Sequence, residues 1–137
     1  MKLDSSAFVA APELLQVLEG HSTAISCGGD RVLFSQGDAP TGVYVLSRGA
    51  TTLTMTSPAR EEVVVVEVGS GSLLGLPGLI GNVPYTLTAV AHTGAVVRFV
   101  SRDEFTSLMQ ADPRLALKIL AVLAAEVSSA RRAILEC

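Results

Sequence analysis

The chain has 137 residues, 49% of them hydrophobic and 17% charged, which excludes disorder and allows one domain with its own core. Its net charge of -3 gives no basis for a nucleic-acid surface. No apolar run is long enough to span a bilayer, and the opening "MKLDSSAFVAAPELL" lacks the basic head and unbroken apolar stretch of a signal peptide, so a cytoplasmic protein with no membrane contact is expected.

In chain order, Pro12 opens an amphipathic helix with Leu14, Leu15 and Leu18 on one face, and Gly20 stops it. From Ser22 to Val100 the pattern changes to short β-rich runs: "STAISC", "DRVLFS", "GVYVLS", "TTLTMTS", "EEVVVVEV", "YTLTAVAH" and "AVVRFVS". Glycine, proline, asparagine and aspartate punctuate them. Seven or eight strands at this spacing predict a sandwich or barrel, here a β-roll over about 21–100 within a single domain spanning 1–137. Cys27 and Cys137 belong to no CxxC pattern and are read as reduced thiols. His21 and His92 have no acidic residue at ligand spacing in the chain, so no metal site is expected.

Two helices follow, over about 101–136. Ser101 is placed as an N-cap with Glu104 at the capping-box position, and Asp112-Pro113 starts the last helix. In that helix Ala116, Leu120, Leu123, Val127, Ala130, Ile134 and Cys137 recur at alternating spacings of four and three. This is a coiled-coil seam of about three heptads. Leu115, Ile119 and Val122 lie on a second face suited to the β-roll. A stripe this wide exceeds what one contact buries, so the seam predicts a homodimer through the long helix. The plainer alternative is that it is core.

A β-roll followed by such a helix resembles the cyclic-nucleotide-binding domain of the catabolite-activator (Crp/Fnr-like) family of regulators. Two stretches carry the resemblance. In "LFSQGDAPTGVYVLSRG" the family's frame is met by Leu33-Phe34, Gly37-Asp38, Val43-Tyr44-Val45-Leu46 and Gly49, with Pro40 departing from the usual small residue. In "LLGLPGLIGNVPYTLTAVA" the family's phosphate-binding cassette is matched by Leu74-Gly75, Gly78-Leu79 and the returning Thr86-Leu87-Thr88-Ala89-Val90-Ala91. The resemblance implies a mainly β fold with flanking helices: a double-stranded β-helix (jelly roll) with a long C-terminal dimerisation helix.

It also implies a ligand site over Gly75, Leu76, Pro77, Gly78, Leu79, Tyr85, Thr86 and Thr88. In the family a glutamate accepts from the ribose hydroxyl and an arginine pairs with the cyclic phosphate. Here those positions hold Leu76 and Tyr85. Losing each buried charged contact costs roughly 2–5 kcal/mol of affinity. A cyclic nucleotide is a possible cofactor, then, but one that Leu76 and Tyr85 disfavour. Glycines 75 and 78 with the hydroxyls of Thr86 and Thr88 still offer an anion nest. The leucine-rich lining suits instead a small apolar or weakly polar effector, or an empty pocket. Arg131 and Arg132 either reach the pocket or are solvated helix-end charges.

The reading that results is a ligand-sensing regulatory module with a degenerate cassette and a non-standard or weakly bound effector, and not an enzyme. No clustered histidines and carboxylates of a cupin-type site occur. Two alternatives stand beside it: a ligand-free dimerisation or interaction module, and the effector-binding part of a transcription regulator. The sequence ends at "RRAILEC" without a recognition helix, so this chain is not expected to bind DNA directly.

Overall fold

The computed structural model describes residues 2–135, and of residues 60–63 the backbone alone. Among the described residues there are eight strands: β1 (Thr23–Ile25), β2 (Arg31–Phe34), β3 (Gly42–Arg48), β4 (Thr51–Ser57), β5 (Arg60–Val68), β6 (Ser72–Leu74), β7 (Thr88–Ala91) and β8 (Val96–Ser101). They build two antiparallel sheets, ordered β1-β8-β3-β6 and β2-β7-β4-β5. Apart from the β4–β5 hairpin, successive strands pass between the sheets, which gives the jelly roll implied by the family resemblance. A 3-10 turn (Ser5–Phe8) and helices α1 (Pro12–Glu19), α2 (Leu76–Gly81), α3 (Arg102–Ala111) and α4 (Pro113–Leu135) complete the molecule.

The sequence of β3 explains the layering. A strand with one wet face alternates apolar and polar residues, but Gly42 to Leu46 are all buried. Tyr44 and Leu46 point between the two sheets, where they join Phe34, Leu53, Val66 and Val97. Val43 and Val45 point the other way, into a second core with Leu14, Leu18, Phe105, Leu115, Ile119 and Val122. The outer sheet β2-β7-β4-β5 has no helical layer. Its β4 strand accordingly alternates, with Thr51 and Leu53 buried and Thr56 exposed.

The caps behave as their chemistry requires. The Ser101 hydroxyl accepts from the amide of Glu104 at 3.2 Å and starts α3. Pro113 occupies the first position of α4, where no intrahelical donor is needed. Gly37 and Gly49, which frame the β2–β3 and β3–β4 turns, both have positive φ.

Three elements differ from the sequence reading. β6 and α2 fall between the runs "EEVVVVEV" and "YTLTAVAH", where no element is expected, and the strand read from Tyr85 begins only at Thr88. The reason for the last is visible in the backbone. The Tyr85 amide donates to the Asp38 carbonyl at 3.0 Å, and the Tyr85 carbonyl accepts from the Gly37 amide at 2.8 Å. Tyr85 is thus paired to the β2–β3 turn and leaves the sheet.

On α4, Leu115, Ile119 and Val122 are buried, as their face predicts. The seam divides. Ala116, Leu123 and Ala130 are half-buried, while Leu120, Val127 and Ile134 are exposed, joined by Leu117 at 68% exposure. Cys137 lies outside the described residues, and Cys27 is a buried free thiol.

Candidate functional site

The cassette is a strand, a left-handed corner and one and a half turns of helix. β6 ends at Leu74, Gly75 follows with a φ of 91° that a side chain rarely adopts, and α2 starts at once with Pro77 in its first turn. Asn82 ends α2, also left-handed, and the Val83 amide returns to the Gly78 carbonyl at 3.1 Å. Arg102, from the start of α3, holds the outside. Its guanidinium donates to the carbonyls of Leu79 and Pro40 and to Asn82 Oδ1 at 3.1–3.4 Å.

Tyr85 fills the inside. Its ring stacks on Phe34 with centroids 4.3 Å apart. Its hydroxyl donates to the Gly42 carbonyl at 2.8 Å and accepts from the Thr41 amide at 3.1 Å. The cassette glycines serve this ring. A Cβ at Gly75 would come within 3.1 Å of Tyr85 Cε1, and one at Gly78 within 3.0 Å of Tyr85 Cδ1. The bend that the sequence suggests for an anion therefore accommodates an aromatic side chain.

What remains is a cavity of about 20 Å³, the room of about one water molecule. Gly75, Pro77, Gly78, Tyr85 and Thr86 line it, as the cassette alignment implies, together with Phe34, Leu74 and Leu87. Leu76, Leu79 and Thr88 do not. Leu76 and Leu79 are buried in the second core with Val43, Val45 and Leu73, so a carboxylate at position 76 would point among aliphatic side chains in this packing. The Thr88 hydroxyl accepts from the Gln36 amide at 2.9 Å. Arg131 is exposed, and neither it nor Arg132 reaches the cavity; Arg132 lies 3.7 Å from Asp4.

Three lining residues are absent from the sequence reading: Phe8, Leu53 and Glu126. Glu126, on α4, closes the cavity from the helix side. Its Oε2 is enclosed and has no hydrogen-bond partner. Burial pushes its carboxyl up to about 8, since an apolar surround penalises the charged form. A signal for it existed: Leu115, Ile119, Val122 and Glu126 continue one stripe at spacings of four and three. A carboxylate on a core stripe is the anomaly that would have found it.

The tertiary fold also brings Asp30 and Glu67 to within 3.9 and 3.7 Å of the His92 ring nitrogens, a grouping invisible in linear spacing. Even so, among the described residues no group of three or more histidine, cysteine or carboxylate side chains is arranged to hold a metal. Nor is any described helix long and apolar enough to cross a membrane.

The profile described as "Cyclic nucleotide-binding domain" matches residues 26–112. The chain belongs to the cyclic nucleotide-binding domain family. This cyclic nucleotide-binding domain is similar to the catabolite activator protein of Thermus thermophilus, with 25% identity and a TM-score of 0.77 over 92% of this chain and 58% of that one. It thus spans somewhat over half the length of that relative. It also shares its fold with the N-terminal domain of a transcriptional regulator from Streptomyces coelicolor, at 24% identity and TM-score 0.66, covering 90% and 88% of the two chains. The c-di-GMP-responsive global regulator CLP of Xanthomonas campestris has the same fold at 19% identity and TM-score 0.73, over 89% and 62%. No curated protein matches the sequence.

Proposed function

We propose that this cyclic nucleotide-binding domain is a non-catalytic, cytoplasmic ligand-sensing module, one domain over its 137 residues and dimeric through α4. Its effector is not a cyclic nucleotide bound in the family's usual pose. What supports this is Tyr85, which stands in the sequence where the family's cassette has its arginine, and whose ring stacks on Phe34 while its hydroxyl donates to the Gly42 carbonyl. Among the described residues the cavity lining holds no cationic side chain, and its one carboxyl, Glu126, repels an anion once ionised. The module itself makes no direct contact with DNA.

The small cavity favours a second reading, a dimerisation or interaction module with no effector. Thermal-shift measurements separate the two, because a ligand of the folded state raises stability by RT ln(1 + [L]/Kd). Cyclic AMP and cyclic GMP at micromolar concentration should give no shift, while some small apolar or weakly polar metabolite should give one. A large shift with cyclic AMP would overturn the claim that Tyr85 blocks the usual pose. Silence across cyclic nucleotides, cyclic dinucleotides and small metabolites alike would favour the interaction module.

A further inference from the structure

Among the described residues Glu126 is the one carboxyl lining the cavity, and its Oε2 has no hydrogen-bond partner. An enclosed carboxyl oxygen without a partner costs stability, so an unexplained one calls for a reason. Its surroundings are apolar and aromatic. Phe8, Phe34 and Tyr85 bring three rings to the same space, two of them stacked. A carboxylate set among aromatic faces is the chemistry that recognises an organic cation, through a charge-assisted hydrogen bond at one end and ring faces at the other. It is the reverse of what a phosphate needs.

Resting on the ligand-sensing reading above, we infer that the cassette pocket takes a small amine: an ammonium group on Glu126 Oε2, with a compact apolar body against the Phe34–Tyr85 pair. Replacing the arginine by tyrosine and adding a carboxyl from α4 inverts the charge preference of the site. The present cavity admits one water, so the body of such a ligand enters only as other lining residues give way, with the Phe34–Tyr85 pair kept as its platform. Glu126 must be ionised to hold an ammonium. Because burial holds its proton to about pH 8, binding at pH 7 releases close to one proton. The elements lining the cavity are the 3-10 turn, β2, β4, β6, the cassette and α4, and only Tyr85 adds another ionisable group.

The test uses the full chain and matched probes: 2-phenylethylamine and cyclohexylamine, the alcohols 2-phenylethanol and cyclohexanol, phenylacetate, and cyclic AMP. Calorimetry at pH 7 in two buffers of different ionisation enthalpy reads affinity and proton release together. The amines should bind at least tenfold more tightly than the alcohols with release of about one proton, and phenylacetate should not bind. In the Glu126→Gln protein the amines should fall to the level of the alcohols. Equal affinity of amine and alcohol in the native protein, or tighter binding of phenylacetate or cyclic AMP, overturns the inference and leaves a sensor of another ligand. Absence of binding by every probe overturns the inference and weakens the sensor reading with it.

Discussion

Tyr85 and Glu126 decide the character of the pocket, and each does so through one functional group. The Tyr85 hydroxyl satisfies both the Gly42 carbonyl and the Thr41 amide, so the ring is held as part of the core. Glu126 has the opposite status, a polar group kept where nothing balances it. Its carboxyl keeps its proton to about pH 8 in the folded protein, against 4.5 ordinarily, so the unfolded chain gives the proton up first. Stability therefore falls as pH rises between those two values, at up to about 1.4 kcal/mol per pH unit, and levels off above. Asp4, Asp30 and Asp112 act in the opposite sense. Hydrogen bonds hold them below their usual range, and their contribution is lost only in more acidic solution, outside this window. Glu126→Gln removes the ionisable group at constant size. Denaturation at pH 5, 6.5 and 8 should show the variant gaining on the native protein as pH rises. Parallel curves for the two proteins would refute the burial argument.

At the scale of elements, the cassette is a short helix that does not stand alone. Six residues are too few for α2 to persist through its own hydrogen bonds. It is fixed from within by Leu76 and Leu79, buried in the second core, and from without by Arg102. The hydrophobic part is worth roughly 1.5–3 kcal/mol for each fully buried leucine. Arg102 adds a clamp between α2 and the β2–β3 turn. Arg102→Ala should loosen that corner by about 1–2 kcal/mol, while the sheets keep their stability. Hydrogen exchange reads this directly: amides from Leu79 to Val83 should exchange about tenfold faster, and those of β3 and β8 should not change. Uniform acceleration would mean that Arg102 supports the whole fold instead.

For the whole molecule, the open question is what covers α4. One side of the helix is buried against the body of the protein. The other presents Leu117, Leu120, Val127 and Ile134 at 48–68% exposure, on positions three and seven residues apart. The structure turns the expected seam slightly. Ala116, Leu123 and Ala130 face partly inward, Leu117 joins the outer stripe, and Arg131 sits exposed within it. A second copy packed along this stripe would bury the apolar surface that one chain leaves in water. Leu120→Glu with Val127→Glu should give a monomer by light scattering at tens of micromolar, where the native chain should run as a dimer. Because both side chains point outward, the fold itself should lose little stability. A native protein already monomeric at that concentration would reject the interface.

Much of this was legible in the sequence because it depends on short-range rules. Turn residues and β-rich runs gave a sandwich or barrel, Ser101 and Pro113 gave two helix starts, and the heptad spacing gave a helix with two apolar faces. The order of "LFSQGD" and "LLGLPG" gave the family, and Leu76 and Tyr85 marked the departure from it. What the sequence could not decide is which atoms meet. Leu76 is part of the aliphatic core, not the pocket, because α2 turns its side chain inward toward Val43 and Val45. Tyr85 leaves the strand it was read into because its backbone finds partners at Gly37 and Asp38, 48 and 47 positions earlier in the chain. Glu126 comes to line the cavity only when α4 folds back across the cassette. Local composition determines elements; a site made from residues 34, 85 and 126 exists only once long-range packing has brought them together.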